Sequence, residues 1–138
     1  MPRIDTEHAF TEQAPIAELV TTLMAAIEAP GIDDVLQCFD KHCVLRNADT
    51  KRTYEGLGGA RAYLGSVAPR LRYEGAVDGQ ILSLDVRPTG WALAKVAICR
   101  RSDHTAVAYL TLSLTNEGNG WRISHMVWEQ EAPEHRAA

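Results

Sequence analysis

Apolar residues recur at helical spacing in the first third of the chain and at strand spacing in the second half. Ile16, Leu19, Val20, Leu23 and Ile27 fall on one face of a helix that begins after Pro15, a residue tolerated in a first turn. Ala29-Pro30-Gly31 stops that helix. Ile32, Val35, Leu36 and Phe39 repeat the pattern in a short second helix, with Asp33 and Asp34 near its positive end. From Cys43 to Asn47 the texture changes to alternation and predicts a strand; Lys51 to Tyr54 predicts a shorter one. A third helix is predicted from about Leu57 to Val67, ending at Pro69, with Gly58, Gly59 and Gly65 weakening it. Everything beyond Pro69 reads as sheet. Ile81 to Val86 places Leu82, Leu84 and Val86 on one side, and Trp91–Arg101, Thr105–Thr115 and Trp121–Glu129 are three long strands in succession. Ser102-Asp103-His104 and Asn116-Glu117-Gly118-Asn119-Gly120 join them with hairpin chemistry. Helices gathered on one face of an antiparallel meander make an α+β domain.

The chain of 138 residues predicts one domain over 1–138, with its core at about 15–130 and loosely ordered ends up to residue 12 and from Glu131. Fourteen basic residues against eighteen acidic ones leave a net charge of −4, so the basic field of a nucleic-acid binder is missing. No apolar run approaches a membrane span, and the polar start from Met1 to His8 does not read as a signal peptide. Three cysteines are an odd number, which disfavours a disulfide framework and points to a reducing cytoplasm. Cys38, His42 and Cys43 lie close in sequence without a second ligand cluster, so no metal is expected. Gly56-Leu57-Gly58-Gly59 lacks the lysine of a phosphate loop, and no nucleotide or other cofactor is expected.

The order of these parts resembles the SnoaL-like branch of the NTF2-like superfamily from about Pro15 to Glu129. The resemblance is carried by Ala25-Ala26-Ile27-Glu28-Ala29, Asp33-Asp34-Val35-Leu36-Gln37-Cys38-Phe39, Tyr54-Glu55-Gly56, Ala60-Arg61-Ala62-Tyr63-Leu64 and Gly120-Trp121-Arg122-Ile123-Ser124-His125. It implies a cone, in which a curved antiparallel sheet is closed by three N-terminal helices around a pocket for small hydrophobic molecules. Ketosteroid isomerase, a member of that superfamily, uses an aspartate base with a tyrosine and a protonated aspartate as oxyanion hole. An ungapped alignment puts Asn47 and Leu23 at the first two of those positions, and counting back from the last hairpin puts Leu110 at the third. An amide takes no proton and leucine donates no hydrogen bond, so that isomerase chemistry is excluded.

The same alignment expects Trp121, Ile123, His125, Val127 and Glu129 to face the pocket, with Leu23, Leu110, Leu112 and Asn47 beside them and Arg122, Ser124, Met126 and Trp128 outside. His125 is then the inward group that titrates near neutrality, a candidate general base; the competing reading is a histidine held by core packing. Asn47 would hold a carbonyl or a water. Glu129, four strand residues and roughly 13 Å from His125, would stand at the pocket mouth as acid, base or substrate contact. Tyr54 and Tyr63 either line the pocket or pack helix on sheet. Lys95 is expected outward, on a strand that is otherwise apolar.

Two readings follow. One is a cofactor-free acid–base enzyme that isomerises, cyclises or dehydrates a small polyketide-like metabolite. The other is a non-catalytic module that binds a small ligand or dimerises. A homodimer through the outer sheet face is expected in either case, on the strength of Met126, Trp128, Ala92, Ala94, Val96 and Ile98.

Overall fold

The computed structural model describes residues 2–28 and 32–130. Its elements run α1 (Pro2–Glu28), α2 (Ile32–Leu36), β1 (Phe39–Asn47), β2 (Thr53–Glu55), α3 (Gly56–Tyr73), β3 (Val77–Arg87), β4 (Trp91–Arg100), β5 (Ala106–Asn116) and β6 (Trp121–Glu129). The architecture is α+β. The six strands form one sheet in the order β2-β1-β6-β5-β4-β3, and β1 runs parallel to β6, so the sheet is mixed rather than antiparallel throughout. Only α1 and α2 precede the sheet; α3 connects β2 to β3, so the expected three N-terminal helices become two and a crossover.

Several boundaries move for physical reasons. The first helix starts at Pro2 and carries Pro15 in its interior, so the expected loose start to residue 12 is helical backbone; the expected loose tail lies outside the described residues. Phe39, expected on the second helix, opens β1 instead, because α2 closes after one turn with Cys38 N–H donating to Val35 C=O. Pro69 does not end α3. It removes one backbone donor, yet Leu64, Val67, Ala68 and Leu71 continue a single buried stripe past it, and burying Leu71 offsets the lost bond.

The helices cover one face of the sheet. Ile16, Val20, Leu23 and Ile27 of α1 and Ala60, Tyr63, Leu64 and Val67 of α3 pack on the buried residues Leu45, Ala92, Ala94, Val96, Ile98, Leu110, Leu112 and Leu114. Gly79 on β3 lets α1 come close: a Cβ there would stand 2.9 Å from both Met24 Cγ and Val20 Cγ1.

Bulges decide which residues face the helices. On β3 the register shifts between Ile81 and Ser83, so Leu82 leaves the side it was expected to share with Leu84 and Val86 and is 54% exposed. On β6, Leu114 pairs with Ile123 while Ser113 pairs with His125, which leaves Ser124 as the extra residue. Trp121 and Ile123 are buried before that point, and Met126 and Trp128 after it. Strict alternation along this strand, and every inward or outward assignment beyond Ser124, is thereby corrected.

Candidate functional site

Under the helices, the polar residues gather around Asn47. As the last residue of β1 it points inward and is 9% exposed, among the described residues the one buried polar side chain other than tyrosine, tryptophan and cysteine. Its Oδ1 accepts the backbone N–H groups of Asp49 and Thr50, each at 2.9 Å, and its backbone C=O accepts Lys51 N–H. Its Nδ2 donates to Tyr63 Oη at 3.0 Å. Asn47 is therefore the keystone of the β1–β2 turn, with its carbonyl oxygen already occupied twice, and the expected ligand-holding amide is committed to structure.

Tyr63 reaches this point from α3. Its ring lies 4.9 Å from that of Tyr54 and meets Trp128 edge-on at 6.1 Å, centroid to centroid. Burial pushes the Tyr63 phenol up to about 12, only partly opposed by the Asn47 hydrogen bond. The hydroxyl stays protonated at neutral pH, and because its oxygen accepts from Asn47, its own proton is available. Trp128 Nε1–H is buried without a hydrogen-bond partner. Beside Asn47 this face thus presents two hydrogen-bond donors, the Tyr63 hydroxyl and the Trp128 indole N–H. Leu23, Leu110 and Leu112, expected to line a pocket, are fully buried core residues, and Trp121 lies buried beside α1 at the far end of β6.

The Ser124 bulge sends the other expected residues to the opposite face. His125 is exposed and stands between Ser113 of β5 and Val44 of β1. Val127 and Glu129 follow on the same outer side, half-buried. His125 and Asn47 are consequently on opposite faces of the sheet and do not act on one substrate. Met126 and Trp128, expected outside, are inside, as are Ala92, Ala94, Val96 and Ile98. On β1, His42 is exposed while Cys43 is buried, so alternation separates these neighbours; burial raises the thiols of Cys38 and Cys43 and makes them poor nucleophiles.

Lys95 faces outward, as expected, and the register defines what surrounds it. Ser83, Lys95, Thr111, Val127 and Arg46 form one row across five strands; Asp85, Leu93, Ser113, His125 and Val44 form the next; Gln80, Ala97, Tyr109 and Glu129 flank Lys95 on its other side. A groove of about 480 Å³ opens on this face between the β3 edge and the β4–β5 hairpin. Sequence reading overlooked it. Its signal was present in the odd spacing of large apolar residues on β6, 121 and 123 followed by 126 and 128, which marks a bulge and hence which residues the outer face receives.

Comparison with solved structures matches this arrangement to a domain with a cystatin-like fold from Nostoc punctiforme (TM-score 0.73, 12% identity, 92% of this chain and 82% of that one). An NTF2-like protein from Methylobacillus flagellatus matches at TM-score 0.68 and 16% identity, over 88% of this chain and 94% of that one. The chain has the NTF2-like fold. The NTF2-like set includes a ketosteroid isomerase-like protein from Erwinia carotovora atroseptica, at TM-score 0.68 and 15% identity, covering 88% of this chain and 98% of that one. No family model and no curated protein sequence matches the chain. At these identities the NTF2-like likeness carries the fold and not an activity.

Proposed function

We propose that the protein is a binding module that pairs with a second copy through the outer face of its sheet and does not run general-base chemistry through His125. The observation that carries this reading is the make-up of that face. A solvated sheet face alternates to polar residues, yet here the outward positions of β3 to β6 include Leu82, Trp91, Leu93, Ala97 and Val127, with Leu82 54% and Trp91 37% exposed. The face is also self-complementary. A two-fold axis perpendicular to the strands, between the Leu93 and Lys95 rows, sets Arg122 of one copy against Glu129 of the other and Trp91 against Ala97, and brings no like charges together. Light scattering on an eluting peak tests the reading. The dimer mass is expected at micromolar concentration, with Leu93→Asp giving a folded monomer. A wild-type monomer at that concentration overturns it.

A second reading, cofactor-free chemistry on a small apolar metabolite, is favoured by the Tyr63 hydroxyl and the Trp128 indole N–H, two donors on the inner face suited to negative charge that develops on a substrate oxygen. In that case Tyr63→Phe removes turnover and His125→Gln leaves it intact.

A further inference from the structure

We infer that the pairing of two copies is controlled by pH through His125: the copies associate while this imidazole is neutral and separate when it takes up a proton. This rests on the pairing reading above and adds its regulation.

The Ser124 bulge puts His125 on the outer face, exposed in the single chain and in one row with Leu93 and Ser113. The two-fold axis of the pairing runs between this row and the Lys95 row. It therefore lays β6 of one copy against β6 of the other, in the opposite sense. His125 is then seated against the partner's Val127, which shares the Lys95 row with Thr111 and Arg46. The two copies of His125 come about 7 Å apart along the strand direction, two residues of rise. Sheets that pack face to face lie about 10 Å apart, so both rings enter the gap between them. A side chain that stood in water is covered, and it has its own counterpart as a neighbour.

The charges around that position oppose a proton. On β1, Val44 stands beside His125, with His42 and Arg46 two residues to either side of it. The partner's Arg46 lies beside the partner's Val127 in the covering row. On β5 the neighbours Thr111, Ser113 and Thr115 are uncharged, and Lys95 of β4 is two strands away. Of the acidic groups, Glu55 of β2 lies beyond Val44, and Glu129 is four residues along β6. The partner's Glu129 comes one row away, where it faces Arg122. A covered imidazolium loses its hydration and meets Arg46, the partner's Arg46 and a second imidazolium, whereas the neutral ring meets none of these costs. The separated chains accordingly bind more protons than the pair, and lowering the pH drives separation.

Sedimentation velocity over a concentration series, at pH 7.5 and pH 5.5, tests this on the full chain. The dimer Kd is expected to rise at least tenfold at the lower pH, with the far-ultraviolet circular dichroism spectrum unchanged. His125→Gln is expected to pair at both pH values with the same Kd. His125→Lys, which carries its charge at both, is expected to pair weakly at both. His104→Gln, on the β4–β5 hairpin tip, is expected to keep the wild-type pH dependence. A wild-type dimer whose Kd is the same at the two pH values overturns the inference and keeps the pairing reading. So does a pH dependence that His125→Gln retains, or a dissociation that goes with loss of the folded spectrum. A wild-type monomer at both pH values overturns the pairing reading and this inference with it.

Discussion

Ser124 donates its hydroxyl proton to the carbonyl oxygen of Ser113 at 3.1 Å, across the one point where β5 and β6 lose register. That bond clamps the extra residue of the bulge, and everything beyond it on β6 changes face. The relationship moves His125 from the inner side, where simple alternation sets it, to solvent, and brings Met126 and Trp128 into the core.

An alanine inserted after Ser124 reverses the phase again and turns Met126 and Trp128 outward. Each is about 1% exposed in the native fold, and each fully buried large side chain contributes about 1.5–3 kcal/mol. The insertion is expected to remove most of the stability of a domain this size, read as loss of a cooperative urea transition. His125→Ala, at an exposed position, is expected to shift stability by no more than about 0.5 kcal/mol. A large loss from His125→Ala would contradict the outward placement.

Asn47→Ala strips the turn of two backbone hydrogen-bond acceptances and leaves Tyr63 without its donor. A cost of about 2–3 kcal/mol is expected, from leaving buried groups unpaired. Asn47→Asp keeps the oxygen that the turn needs and is expected to cost less than the alanine change. Urea midpoints for the two variants check the order.

Tyr63 gives the stability a dependence on alkaline pH. Its folded-state value is raised from the ordinary phenol value of 10.0 to about 12, chiefly by burial. The folded protein therefore holds this proton more tightly than the unfolded chain, and the contribution is complete below pH 10. Above that it falls as pH rises and is gone past about 12, a total on the order of 3 kcal/mol. Urea unfolding across this window is expected to show the decline in the wild type and a shallower one in Tyr63→Phe.

Gly79→Ala drives a methyl into Met24 and Val20, both at 2.9 Å, and is expected to cost about 1–3 kcal/mol by overpacking. Val20→Ala in the same chain should recover part of that loss, so the two changes combine to less than their sum in a double-mutant cycle. Gly90 is less forgiving. Its φ is +86° and an added Cβ would lie 2.6 Å from the Asn116 carbonyl oxygen, so Gly90→Ala is expected to be the worse of the two glycine changes, with no single side-chain truncation that rescues it.

The α+β order, the faces of α1 and α3 and the outward Lys95 were legible in the sequence, because helical and strand periods are local properties written into a few consecutive residues. The end of the second helix and the passage of α3 through Pro69 were not, since partners distant in sequence outweighed the local stop signals. The candidate site depended on such partners still more. Asn47 is an ordinary strand-end amide until α3 brings Tyr63, sixteen positions on, within 3.0 Å of it. His125 reads as inward until pairing with β5 makes Ser124 the unpaired residue and inverts the strand. Composition and alternation determine that a strand exists and that one of its faces is apolar. Which residues occupy that face beyond a bulge is decided by the hydrogen-bond register between strands, and that register exists only once the sheet has formed.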